Sequence, residues 1–221
     1  MIRLVANDLK LSLRFQVLLV TLVVGCVSAP SIAGSSIQFL GGYSKTEESD
    51  LDVELLYIVP PVTGSDKVDG DSASFGFRYL RTEASLSLGI DFSHFDAASD
   101  AVEIDTWPLT YFLIYTFKGR IIDPYVGIGY SLIYVEMNVS ADSDLGIAIK
   151  KDILEHGLAF IIGMSVPVRD QFSLFLEYRR DQTEIDLEEE SLPIFFPSQA
   201  TARYKTDLDT NRLLLGFSYN F

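Results

Sequence analysis

The chain has 221 residues, 48% of them hydrophobic, with mean hydropathy +0.23 and a formal net charge of −14. That length suits one domain, and the acidity argues against nucleic acid, whose phosphates need a basic surface. The single cysteine rules out a disulfide framework.

At the N-terminus, Arg3, Lys10 and Arg14 precede an apolar run over 17–25 that only Thr21 interrupts. About nine residues are too few for a membrane-spanning helix, which needs about 20. The run reads instead as the core of a signal peptide over residues 1–33, with Ser31-Ile32-Ala33 before Gly34 fitting the small-x-small cleavage rule. A second route stays open, because Val23-Val24-Gly25-Cys26 resembles a lipobox whose cysteine becomes a lipidated first residue. Cleavage after Ala33 removes Arg3, Lys10 and Arg14 against Asp8, a net +2, so −14 becomes −16.

After Gly34 the pattern has period two, the signature of strands with one apolar wall. A first strand covers about 36–44. In the following stretch, Leu51, Val53, Leu55, Tyr57 and Val59 alternate with Asp50, Asp52 and Glu54. That stretch is either an extension of the sheet or a crossing strand in a ten-stranded barrel. Next, Phe75, Phe77 and Tyr79 alternate with Ser74, Gly76 and Arg78. The cleanest run is 84–94, with Ala84, Leu86, Leu88, Ile90 and Phe92 on one face. Runs over 107–117, 126–134, 157–165, 172–179 and 212–221 bring the count to eight.

The glycines choose the architecture. Gly76, Gly89, Gly127, Gly129, Gly157, Gly163 and Gly216 all share parity with the polar side, while bulky aliphatic and aromatic residues fill the other. A soluble sandwich would turn its large residues into a core. Here the small and charged face suits the cramped interior of a narrow barrel, and the large apolar face suits lipid. Backbone polar groups in hydrocarbon must all be paired, so the sheet must close. The expected fold is an eight-stranded antiparallel up-and-down transmembrane β-barrel over residues 34–221. Short links at 81–83, 118–123 and 167–170 alternate with long acidic loops at about 45–73, 96–102, 136–152 and 183–209.

Several constellations are candidates for function. Arg78, Arg179 and Arg212 share the inner face with Asp91, Glu155 and Glu177, and such charges should pair into a plug. His94 and His156 fall on the lipid-facing parity near the outer rim, so catalysis and a zinc site are both disfavoured and no cofactor is expected. Trp107, Tyr134 and Tyr178 mark an outer aromatic belt; Phe117, Phe172, Tyr219 and Phe221 mark an inner one. Glu188, Glu189 and Glu190, with Asp50 and Asp52, are weak candidates for divalent-cation binding that could bridge to lipopolysaccharide phosphates. The apolar tip Pro193-Ile194-Phe195-Phe196-Pro197 beside them suits an extracellular protein partner.

At Asp123-Pro124-Tyr125-Val126-Gly127-Ile128-Gly129-Tyr130 and Leu174-Phe175-Leu176-Glu177-Tyr178-Arg179-Arg180 the chain resembles the outer-membrane barrel family typified by the OmpA transmembrane domain and OmpX. Its end is similar to that family's assembly signal, with Gly216, Tyr219 and the terminal Phe221, although Leu214 stands where a polar residue is usual. The resemblance implies a bacterial outer-membrane protein, inserted by the barrel-assembly machinery among lipid and lipopolysaccharide. The expected role is non-enzymatic: envelope integrity, adhesion or surface contact. A small conduit of the OmpW type is the alternative, and a lipid A-modifying enzyme a more distant one.

Overall fold

A computed structural model describes residues 34–56, 62–98, 102–139, 149–190 and 201–221. The alternating runs form nine strands: β1 Ser35–Leu56, β2 Val62–Glu83, β3 Leu86–Ala98, β4 Val102–Thr116, β5 Asp123–Val139, β6 Ile149–Arg169, β7 Phe172–Glu190, β8 Thr201–Asp207 and β9 Thr210–Asn220. Consecutive strands pair antiparallel from β1 to β7, β7 pairs with β9, and β9 returns to β1 from Ser36↔Asn220 to Thr46↔Thr210. The ring is therefore closed by eight strands, and no sheet edge remains at that level. β8 continues the line of β9 after Leu208 and Asp209 and lies between β7 and β1 beyond the ring.

The ten-strand alternative is wrong for a simple reason. The alternating stretch 50–56 does not cross again; it is the far end of β1, still paired with β2 up to Leu55↔Val62. The segments read as long loops are largely strand for the same reason. β1 and β2 each run 22 residues, about twice the 9–11 that a tilted strand needs to span a bilayer. At the other end the first hairpin turns at Ala84 and Ser85, not at 81–83: Ala84 has φ +54°, so it is a turn residue and not the first outward position of β3.

Side-chain direction follows the parity argument. Leu88, Leu113, Ile128, Phe160, Ile162, Leu174, Leu215 and Phe217 are exposed on the outside, Leu215 at 63%. Arg78, Arg179, Arg212, Asp91 and Glu177 are buried inside. The inner glycines make room for inner rings: a Cβ at Gly129 would stand 2.6 Å from the Phe112 ring.

The interior is stratified. Leu40, Leu80, Phe112, Ile161, Phe175 and Leu214 belong to an apolar layer toward the short turns. Farther out, beyond the buried charges, Phe95, Ile104, Val135, Met137 and Ile185 are buried as well.

Candidate functional site

β2 places Arg78 and β3 Asp91 at inward positions, β7 places Glu177, Arg179 and Asp181, and β9 adds Arg212. Arg78 donates from both Nη atoms to the Glu177 carboxylate, at 2.8 and 2.7 Å, and from Nε to Asp91 at 3.3 Å. The Tyr125 hydroxyl donates to Glu177 at 2.9 Å. Arg179 donates to Asp91 at 2.8 Å, to Asp181 at 2.8 Å and to the Thr110 hydroxyl at 2.7 Å. Arg212 donates to Asp181 at 2.6 Å and to the Ser93 hydroxyl at 2.9 Å. Three guanidinium groups thus meet three carboxylates, and the cluster is neutral.

Rings complete the packing. Arg78 and Arg179 each lie 4.9 Å from the Phe112 centroid, and Arg212 lies 4.8 Å from that of Phe95, within cation–π range. A cavity of about 310 Å³, lined by Gln38, Thr82, Tyr125 and Ser173, enters from the short-turn end and reaches Arg78. The described residues beyond it are the ion-pair cluster and the outer apolar layer.

Of the six charged residues that parity places on the inner face, the structure brings five together: Arg78, Asp91, Glu177, Arg179 and Arg212. The third carboxylate is Asp181, which the sequence pattern misses by ending the seventh strand too early, although 177, 179 and 181 share one parity. Glu155 is half-buried on the inner wall opposite Ile133, with partners of its own. Of the assembly-signal residues, Gly216 packs inward against the Phe175 ring. Tyr219 faces outward beside Phe172 and Phe221, at centroid distances of 5.2 and 6.1 Å.

The acidic candidates divide into two groups. Asp50 and Asp52 lie in β1, and Glu188, Glu189 and Glu190 in β7; their side chains lie outside the described part. In register, Asp50 stands opposite Lys67, Asp52 opposite Lys205 and Glu188 opposite Arg203. Glu189 stands opposite Ala202 and Glu190 opposite Thr201. The apolar tip at 193–197 lies outside the described residues.

On the other side of the barrel the register opposes like charges. Asp96 faces Asp105, Asp105 faces Glu136, and Glu136 faces Asp152, across β3, β4, β5 and β6. His94 lies beside this row, its Nε2 3.0 Å from Asp96 and 3.9 Å from Asp105. Its ring lies tilted against those of Trp107, at 4.1 Å, and Phe75, at 5.1 Å. Burial and the adjoining Asp105 carboxylate push the Asp96 carboxyl above the usual range, against the opposing pull of His94. Sequence reasoning does not find this grouping, because it weighs the histidines only against serines, cysteines and each other.

A closed antiparallel barrel with a charged, filled interior and an apolar exterior defines a transmembrane β-barrel. The chain belongs to the outer membrane protein β-barrel domain family, whose family model matches residues 19–221. It resides in the bacterial outer membrane. No curated protein matches it.

Among solved structures it is similar to Neisserial surface protein A, at 14% identity and a TM-score of 0.51, covering 85% of this chain and 97% of that one. Ail, the attachment invasion locus protein of Yersinia pestis, gives 13%, 0.41, 86% and 100%. The outer membrane protease OmpT of Escherichia coli gives 6%, 0.42, 87% and 99%. Identities this low carry the fold and leave function to the site.

Proposed function

We propose that this is a non-enzymatic, non-conducting barrel whose work is structural support of the envelope and contact at the cell surface. The observation that supports the reading is the filled interior among the described residues: a neutral, hydrogen-bonded ion-pair cluster with apolar residues buried beyond it. This filling speaks against an OmpW-type conduit, which needs a path. Catalysis has little to use inside, because the guanidinium groups stay charged at any physiological pH and both histidines lie on outward parity.

Contact is supported by the projecting strands. Among the described residues, β6–β7 pairing stops at Gly157↔Thr183, while β5–β6 continues to Val139↔Ile149 and β7–β8 to Glu190↔Thr201. The sheet parts there, and a free strand edge is a template for an extended segment of another protein. Residues 1–33 serve in this proposal as the export signal, with lipidation of Cys26 as the competing route; they lie outside the described residues.

The test is planar-bilayer conductance of the folded protein, after heat-modifiable gel mobility has verified folding. Silence is expected. Steady, reproducible openings from the pure protein would overturn the filled interior and return the conduit reading.

A further inference from the structure

We propose that His94, Asp96 and Asp105 form a divalent metal site of the zinc class on the outer face of the barrel. Their donor atoms all lie within 4.8 Å of one another. One imidazole nitrogen and two carboxylate oxygens are the nitrogen and oxygen donors that zinc accepts, and three protein ligands leave a fourth position for water. In a tetrahedral site, two ligand atoms about 2.1 Å from the ion stand about 3.4 Å apart. The 3.0 and 3.9 Å separations from Nε2 bracket that spacing.

Three further observations point to a cation. The buried Asp96 Oδ1 has no hydrogen-bond partner, although Nε2 approaches it to 3.0 Å. An imidazole nitrogen and a carboxylate oxygen thus face each other at ion-pair distance without an aligned hydrogen bond. Register sets Asp96 against Asp105, and Asp105 against Glu136 on its other side, an opposition that destabilises a sheet when nothing offsets it. On the opposite side of the barrel basic residues answer the carboxylates: Arg180 meets Asp209 at 2.9 Å and Glu47 at 3.4 Å, and Lys205 meets Glu184 at 2.8 Å where the register sets Glu184 against Asp207.

The backbone also presets the geometry. Asp96 and Asp105 are direct register partners, and His94 precedes Asp96 by two residues, so all three share the outer face. Trp107 buttresses the imidazole from the same face of β4. Little reorganisation separates this arrangement from a coordinating one.

Trp107 is the only tryptophan of the chain, and its ring lies 4.1 Å from that of His94, so it reports on the site directly. The experiment titrates the folded protein in detergent with Ni²⁺, in excess Mg²⁺ to occupy non-specific carboxylates, and follows tryptophan quenching. Saturable quenching, reversed by Zn²⁺, is expected, with calorimetry giving one Zn²⁺ per barrel. His94→Gln and Asp105→Asn should each weaken Zn²⁺ at least about tenfold, and Glu184→Gln, on the opposite side of the barrel, should leave it unchanged. All three changes lie on the outer surface, and gel mobility checks that each variant folds. Absence of saturable quenching, or equal Zn²⁺ affinity in His94→Gln, would overturn the site.

Discussion

The ring of Tyr125 fills the space that a side chain at Gly163 would need: a Cβ there would stand 2.4 Å from Tyr125 Cζ and 2.5 Å from its hydroxyl oxygen. The same hydroxyl donates to Glu177. A glycine on β6 therefore governs a hydrogen bond inside the ion-pair cluster. Gly163→Val should cost about 1–3 kcal/mol through overpacking, with the loss of the Tyr125–Glu177 bond added to it. Urea unfolding of the protein refolded in lipid measures this; an unchanged midpoint would show that the ring has room to move.

The inner position of these glycines is legible in the sequence, because parity alone separates small from bulky residues. What each glycine accommodates is not. Gly163 and Tyr125 lie far apart along the chain and meet only through the β5–β6 register, where they are direct partners. Asp181 shows a different limit: its parity is plain, but a strand boundary drawn at 179 puts it outside the barrel. Asp96 and Asp105 flank what reads as a loop, and only the continued pairing of β3 with β4 sets them face to face. Strand ends and register, rather than face assignment, are where the sequence falls short.

Glu177 accepts from both Arg78 Nη atoms and from Tyr125 with none of its side chain exposed. Glu177→Ala leaves the Arg78 charge buried with only Asp91 to answer it, and such a break typically costs about 3–5 kcal/mol. The double variant Arg78→Met with Glu177→Leu removes both charges and should recover most of that loss. A double-mutant cycle on refolding midpoints reads the coupling directly. If the double variant proves as unstable as Glu177→Ala, the cost comes from packing and not from the orphaned charge.

Leu215 is 63% exposed on β9, opposite Gly41 and Leu176, about midway along a strand that has about ten residues to cross the bilayer. It therefore lies near the hydrocarbon midplane. Leu215→Arg should cost about 2–4 kcal/mol in lipid, whereas Leu215→Ala should cost much less. In a water-facing sheet the order would reverse, since an exposed arginine is nearly free there. Folding equilibria in vesicles separate the two cases.

Strand β6 changes character along its length. From Gly157 to Ser165 it is paired on both sides, with β5 and β7; over 149–156 it is paired with β5 alone. In an antiparallel strand with one neighbour, alternate amides point away from the partner and find no carbonyl. Hydrogen exchange should therefore split β6: about half the amides over 149–156 should exchange rapidly, while those over 158–165 stay protected near the global limit. An added strand from another protein would protect the outer half selectively, so the same measurement reports occupancy of the free edge. Uniform protection along the whole of β6 in the isolated protein would mean that β7 closes the gap, and the proposed contact edge would be lost with it.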